Sequence, residues 1–395
     1  MTNLPTIPNV IAPPLTGIRI VDFSTMIAGP FAASILADYG ADVIKVEPNN
    51  SCDLMRFVGT SAKGMTGIFA LNNRGKRALA IDMKQAKGAE MIRRLMSTAD
   101  VVIHNFRHGV MENFGLSYND VKDEMPKLIY AHITGFGDVG IKRDHKGYDN
   151  MLQAITGMGV AQSDPPEVVH QLVCDKVTAH VVAQAVMAAL FARTTTGVGQ
   201  KVSVSMLDVA TQFMWQDLGM NAAVQNEDAT RAATIDKYYR TIKLKDGYCA
   251  VTPASDEEFS VWLDVIGLTS LLSDERFSSI GARFNNAEAL IALTDKAAEN
   301  VTVAEITDAI NNRGLPAAIF ESVEDLPQNM QVEACGVFST RTYANGLTIK
   351  EARQAPRLSH TPLIVSREAP THGQHSDEIL KEIGYLKSLF PKVVS

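Results

Sequence analysis

Asp175 is the residue whose type and setting most suggest chemistry. It lies in QLVCDKVTAH (171–180), after the apolar pair Val173 and Cys174 and at the head of the small-residue run VTAHVVAQAVMAALFA. A carboxylate is rarely buried without a partner. Two readings fit it. As a helix N-cap it accepts backbone N–H groups and complements the helix dipole. As a nucleophile it takes an activated acyl group into a covalent intermediate. The two are compatible, because a dipole that keeps the acid ionised also keeps it nucleophilic. Cys174 is the rival nucleophile, but apolar surroundings raise a thiol pKa and make it inert. There is no GxSxG elbow, so serine-hydrolase chemistry is not expected.

A second group of residues is basic. Arg74, Lys76 and Arg77 cluster in NNRGKRALAIDMK (72–84), Arg107 follows VVIHNF, and Lys146 lies in HKGYDN. Guanidinium forks and ammonium point charges are what phosphate recognition uses. Such residues in loops at a sheet edge suit a nucleotide-like ligand, or else form a solvated surface cluster. The loop STMIAGP carries a single glycine. It lacks the GxGxxG that lets backbone approach a pyrophosphate, so nicotinamide or flavin binding is not expected, although Glu47 lies where a ribose-binding acid would. The histidines His104, His108, His132, His145, His180 and His375 show no metal-ligand spacing, nor do Cys52, Cys174, Cys249 and Cys335, so no metal is expected. His180 follows Asp175 by five positions, off its helical face, and reads as a core or interface histidine.

The elements that must position these residues alternate. GIRIVDF (17–23), ADVIKVE (41–47), RALAIDM (77–83), VVIHNF (101–106) and KLIYAHITGFG (127–137) read as strands. PFAASILADYG (30–40) and KGAEMIRRLMSTAD (87–100) read as helices, and 109–126 as helix in pieces. Residues 146–193 are mostly helical, and GQKVSVSMLDVATQF (199–213) gives another strand passing into a helix. This alternation predicts an α/β fold with βαβ units and a mainly parallel sheet. Ligands of such sheets bind outside the carboxyl ends of the strands. The predicted organisation is a large domain over 1–227, a small α+β domain over 228–330, and a return segment over 331–395 that packs on the large domain.

Composition bounds the function. The 395-residue chain is 46% hydrophobic and 21% charged, with net charge −7 from 37 basic and 44 acidic residues. That is a globular composition, and it argues against nucleic-acid binding, which wants a basic face. The N-terminus has no basic segment followed by an apolar one, so no secretory signal is expected. The apolar run near 179–192 contains His180 and Gln184 and is short for a membrane span. Scattered thiols and these absences predict a soluble, cytoplasmic protein.

Taken in order, several segments resemble the family III CoA-transferases, the group of formyl-CoA transferase, carnitine CoA-transferase and α-methylacyl-CoA racemase. They are GIRIVDFSTMIAGPFAASILADYGADVIKVE, NNRGKRALAIDMK, HNFRHGVMENFGL, GYDNMLQAITGM, the Asp175 helix, TGVGQKVSVSMLDV and GQHSDEILKEIG, spanning about 14–386. The resemblance implies a Rossmann-like large domain, a small domain and an interlocked homodimer. It implies coenzyme A as co-substrate, with an acyl-CoA and a carboxylic acid as substrates. Asp175 matches the catalytic aspartate, which would form an acyl anhydride and then a CoA thioester. Thr25, Met26, Ile27 and Ala28 match the loop lining the thioester, and Asn73, Arg74, Lys76, Asn105, Phe106, Arg107, Lys146 and Tyr148 match segments that hold CoA. This sequence departs from the family in three places. Tyr148 stands where racemase members place a histidine base, so transfer is expected over α-carbon racemisation, the alternative activity. His104 and His108 flank NFR where the family usually has glutamate and proline. No glycine-rich lid is visible at 220–245, so an acid larger than formate or oxalate is expected. A CoA-binding protein without catalysis is the third reading.

Overall fold

A computed structural model describes residues 11–231, 234–365, 367–390 and 392–394. The reading of the N-terminus falls largely on residues 1–10, and the polar stretch QNEDATRAATIDKYYR includes 232–233; both lie outside the described residues. Six strands form one parallel sheet: β1 (Arg19–Asp22), β2 (Asp42–Glu47), β3 (Lys76–Ala80), β4 (Val101–His104), β5 (Ile129–Thr134) and β6 (Lys201–Ser205). Their order is β3-β2-β1-β4-β5-β6. The first four strands from that edge to β4 are almost wholly buried. That is why they read as near-continuous apolar runs, since a parallel sheet is covered on both faces. The chain steps outward from β1 to β3 and then returns to lay β4 against β1. The reversal opens a crevice between the loops that leave β1 and β4, which is the ligand position of doubly wound sheets.

Helix α1 (Ala28–Asp38) follows β1 and has Pro30 in its first turn, where a missing N–H costs nothing. Its small residues are buried and pack against the helix that begins near Asp175. A helix that the sequence reading did not mark, α2 (Gly67–Asn73), starts at the Thr66 hydroxyl, which accepts the Phe69 N–H at 3.2 Å. Helix α3 (Ala86–Met96) is amphipathic and sends Met91, Ile92, Leu95 and Met96 into the core beneath the sheet. Two further helices carry the site, α4 (Asp149–Ile155) and α5 (Val173–Thr196), and α6 (Met206–Trp215) follows β6.

Helix α5 is longer than its apolar run suggested. At 24 residues and a mean hydropathy of 1.3 over its most apolar stretch, it is long and apolar enough to cross a membrane by length and composition alone. Its buried stripe includes Thr178, Ala179, Val182, Ala183, Val186 and Ala189, and packs on α1 and the sheet. Its exposed stripe is Lys176, His180, Gln184 and Ala188, four residues apart. His180 is therefore exposed, with its ring edge-on to Phe31 at 5.4 Å.

The chain divides into two compact units, Met1–Phe213 with Gly336–Ser395, and Met214–Cys335. The sequence-based limits after 227 and after 330 both fall inside the second unit. That unit has a three-stranded antiparallel sheet of β7 (Ile242–Lys243), β8 (Tyr248–Val251) and β9 (Ala317–Ile319). It also has α7 (Asp256–Val265), α8 (Ala287–Ala298) and α9 (Val303–Arg313). Capping boxes at Ser255/Glu258 and Thr302/Glu305 start α7 and α9, each satisfying donors that a helix start leaves open. Phe259, Trp262, Leu263 and Ile306 fill its core. In the first unit, the hairpin β10 (Phe338–Thr342) and β11 (Thr348–Ala352) leads to α10 (Ser376–Glu382). Ile379 and Leu380 of α10 enter the core of the parallel sheet.

Candidate active site

A cavity of about 500 Å³ opens at the carboxyl ends of β1, β4 and β5. Thr25, Met26 and Ala28 line it from the loop after β1. Asn105, Phe106 and Arg107 line it from the loop after β4, Lys146 and Tyr148 from the approach to α4, and Asp175 from α5. The two crevice loops are bonded to each other. Asn105 Oδ1 accepts the Thr25 N–H at 3.0 Å, and Asn105 Nδ2 donates to the Thr25 carbonyl at 2.8 Å. One amide side chain thus fixes the width of the crevice.

The loop after β1 is held from beneath by buried charges. Asp22 accepts the Ser24 N–H at 2.9 Å and the Ser24 hydroxyl. Lys45 Nζ donates to the Ser24 carbonyl and to Asp53 Oδ2, each at 2.9 Å, and Asp53 Oδ1 accepts the Met26 N–H at 3.2 Å. Met26 has φ +69°, a left-handed backbone that a methionine rarely adopts. Such strain persists only where the surroundings over-determine it. Burial pushes the Asp22 carboxyl up, but Lys76 and Lys45 outweigh it and hold the acid ionised below its usual range.

Asp175 occupies the third position of α5, not its N-cap. The N-cap is Leu172, which makes no side-chain bond. The capping that the sequence reading allowed Asp175 is done by Asp149 of α4, whose Oδ2 accepts the Asp175 N–H at 2.9 Å. Asp149 is itself held by Gln153, which donates to its Oδ1 at 2.6 Å and accepts the Val169 N–H at 2.8 Å. Asp149 and Gln153 are site residues that the sequence reading passed over; the signal was their i, i+4 spacing in GYDNMLQ. With its cap supplied from elsewhere, the Asp175 carboxylate is left to face the cavity. Burial raises its pKa to about 6 from the ordinary 3.8, the Asp149 charge adds to the rise, and a hydrogen bond from the Ala28 N–H opposes it. At neutral pH the group is mostly ionised and poorly solvated, which suits a nucleophile. Burial pushes the neighbouring Cys174 thiol up to about 12, with the Asp149 and Asp175 charges adding to it, so Cys174 stays a thiol.

Two glycines let the walls close. A Cβ on Gly147 would lie 2.6 Å from Gly135 Cα, and one on Gly135 would lie 2.7 Å from Gly147 Cα. The approach to α4 can therefore cross the end of β5 only as bare backbone. Around the mouth stand Arg107, Arg143, His145 and Lys146, all exposed. The two arginines and the lysine make a cationic rim, and Met26, Phe106, Ile133 and Met206 give the cavity an apolar wall.

Four residues matched to the thioester loop or the CoA segments lie outside the cavity that holds Asp175. Lys76 has no exposed surface, and its three N–H bonds go to Asp22 at 2.8 Å, the Pro30 carbonyl at 2.8 Å and Asn73 Oδ1 at 2.9 Å. An ammonium has three donors, so none remains for a phosphate. Asn73 is equally buried, accepting from Lys76 and donating to the Phe69 carbonyl at 3.1 Å. Arg74 is 4% exposed and paired with Asp38 at 2.8 Å. It lines a second cavity of about 630 Å³ with Ile27, Phe31 and His180. Ile27 opens on that cavity and not on the one that holds Asp175.

The family described as CoA-transferase family III matches residues 15–376. The chain is 30% identical over 384 residues to the succinate–glutarate CoA-transferase of Agrobacterium fabrum, covering 94% of this chain and 96% of that one. It is 29% identical over 392 residues to the (R)-2-hydroxy-4-methylpentanoate CoA-transferase of Clostridioides difficile, with 94% and 96% covered. Among solved structures, a CAIB/BAIF family protein from Brucella suis matches with a TM-score of 0.81 at 30% identity, covering 94% of this chain and all of that one. Rv3272 of Mycobacterium tuberculosis matches with a TM-score of 0.81 at 29% identity, with 92% and 98% covered.

Proposed function

The chain belongs to CoA-transferase family III, and from that premise we propose that it moves CoA from an acyl-CoA thioester to a free carboxylic acid through covalent intermediates on Asp175. One observation carries the reading: the Asp175 side chain has no capping role and faces a cavity at the sheet's crevice, with apolar walls and a cationic rim. An oxygen of the Asp175 carboxylate attacks the thioester carbonyl. The C–S bond breaks, CoA leaves as the thiolate, and a mixed anhydride remains. The thiolate then attacks the aspartyl carbonyl, the donor acid leaves as its carboxylate, and an aspartyl-CoA thioester is formed. The incoming carboxylate attacks that thioester and releases CoA thiolate. The thiolate finally takes the new acyl group from the anhydride and returns Asp175 to its carboxylate form.

Each intermediate is an activated acyl group that water would destroy. The apolar wall of Met26, Phe106, Ile133 and Met206 is suited to exclude it. The Ala28 N–H, at the start of α1 in the same cavity as Asp175, is the donor assigned to an oxyanion on the aspartyl carbon. Arg107, Arg143 and Lys146 supply the positive charge that the phosphates of CoA need. The lack of a glycine-rich lid in the sequence at 220–245 favours an acceptor larger than formate or oxalate; relatives are named for glutarate and for a branched hydroxy acid, and one is named for oxalate.

The enzyme works as an interlocked homodimer in the cytoplasm. Four free cysteines fit a reducing compartment. The polar outer stripe of α5 fits contact with protein or water better than lipid. Light scattering that found only monomer at working concentration would remove the dimer. The activity is tested by CoA transfer between a panel of acyl-CoAs and acids. Transfer with the wild type and none with Asp175→Asn supports the reading. Deuterium entering the α-carbon of an acyl-CoA in heavy water, without transfer, would establish the racemase instead.

A further inference from the structure

At the edge of the cavity, which His108 lines, three side chains converge that the acyl-transfer steps above do not use. Parallel pairing sets His104 of β4 opposite His132 of β5, with the rings stacked at 4.3 Å. The loop after β4 brings in His108, and the loop after β5 brings in Asp138. His108 Nε2 lies 2.9 Å and His132 Nδ1 3.8 Å from the same oxygen, Asp138 Oδ1. The three atoms all lie within 4.8 Å of one another. Sequence spacing hides this set, because it forms only when β4 and β5 are neighbours.

The far side of each group shows what the near side is for. His132 Nε2 is 3.0 Å from the Phe106 carbonyl oxygen. A carbonyl only accepts, so Nε2 carries the proton and Nδ1 turns a lone pair to the cluster. Asp138 Oδ2 accepts from Lys201 Nζ and from the Ser203 hydroxyl, each at 3.0 Å, which leaves Oδ1 for the cluster. His108 Nε2 makes the 2.9 Å hydrogen bond to Asp138 Oδ1, and it becomes a ligand by releasing that proton to solvent as the ion binds; its Nδ1 stands 3.6 Å from Asp144 Oδ1. Outer partners of this kind orient the ligands of bound metals. Two ring nitrogens and a carboxylate oxygen then face one another, which is the donor set of a metal site. Bonds of about 2.0–2.1 Å in a tetrahedral site put ligand atoms roughly 3.3 Å apart; the two pairs to Asp138 Oδ1 stand at 2.9 and 3.8 Å and all three atoms lie within 4.8 Å, so the imidazole rings turn toward each other when the ion binds.

We propose that His108, His132 and Asp138 bind one divalent transition-metal ion, and that two imidazoles and a carboxylate make zinc the fitting choice. The ion ties the loop of Asn105, Phe106 and Arg107 to the end of β5. His108 lines the Asp175 cavity, so the role of the ion is to brace one of its walls.

The full-length protein, stripped with a chelator, is titrated with Zn²⁺ by calorimetry and with Co²⁺ by visible absorption. One ion per chain and the Co²⁺ spectrum of a four-coordinate site are expected. His108→Asn, His132→Gln and Asp138→Asn each weaken Zn²⁺ binding at least about 10-fold. His170→Asn, at a distant histidine whose side chain is 79% exposed, leaves it unchanged. Circular dichroism of the metal-free variants confirms that each is folded, and Asp138→Asn, partly exposed and equal in size, keeps the test open if His132→Gln is not. The proposal is overturned if the wild type binds no zinc tighter than about 100 μM. It is equally overturned if binding survives unchanged in folded His108→Asn and Asp138→Asn, since surface histidines then hold the ion or a proton on His108 closes the cluster.

Discussion

Asp175→Asn removes the reacting oxygen anion, and it also makes the protein more stable at neutral pH. The wild-type carboxyl rises from 3.8 to about 6 because of burial first and the Asp149 charge second. At about 1.4 kcal/mol per pH unit, that rise is worth about 3 kcal/mol. Screening through the open mouth of the cavity reduces it to about 1–2 kcal/mol. Asparagine keeps the shape and can still accept the Ala28 N–H, but it carries no charge to bury. Below pH 3.8 the carboxyl is protonated in folded and unfolded chains alike, so wild type and variant match. Between pH 3.8 and about 6 the unfolded chain ionises while the folded chain keeps its proton, so wild-type stability falls as pH rises. Above about pH 6 the deficit is constant. Thermal unfolding from pH 4 to 8 should show the variant melting a few degrees above the wild type at pH 7, at roughly 2–4 °C per kcal/mol for a unit of this size. The gap should close toward pH 4. A gap that does not change with pH, or a wild type more stable than the variant at pH 7, refutes the electrostatic reasoning.

Other changes separate ligand binding from scaffold. Arg107→Ala and Lys146→Ala should raise the KM for acyl-CoA with little change in kcat or melting temperature, because both side chains are exposed at the cavity mouth; a drop of several degrees in melting would place them in the scaffold. Lys76→Met should do the opposite and destabilise the fold by about 3–5 kcal/mol, since it strands Asp22 as an unpaired buried charge; urea unfolding measures it, and an unchanged midpoint with a raised KM would return Lys76 to the ligand. Asp149→Asn should lower the Asp175 pKa by removing a like charge, moving the acid limb of the kcat/KM profile to lower pH; an unmoved limb would mean that Asp149 acts only as a helix cap.

The parallel strands and most helices were legible because burial on both faces leaves apolar runs, and because βαβ units space them regularly. Asp175 was legible as an acid at the start of an apolar helix. Its partner Asp149 was not, because the bond between them joins two helices that sequence distance does not connect. The cluster Arg74, Lys76 and Arg77 shows the limit most clearly. Lys76 and Arg77 are adjacent in β3 and therefore point to opposite faces. Lys76 goes inward to Asp22, while Arg77 binds Asp42, Glu378 and Glu382 and seals α10 against the sheet. In sequence both look like phosphate ligands. Only the sheet decides which charges are spent on acids of the same chain. Helix α2 was missed because seven residues are too few to show a period.

The most direct test of the account is to trap the covalent intermediate. The protein is incubated with a panel of acyl-CoAs, quenched with hydroxylamine, digested, and the peptide carrying QLVCDK read by mass spectrometry. The account predicts a hydroxamate on Asp175 that depends on the acyl-CoA supplied and is absent from Asp175→Asn. Turnover of an acyl-CoA with Asp175 left unmarked, or a mark on Cys174 instead, would contradict it.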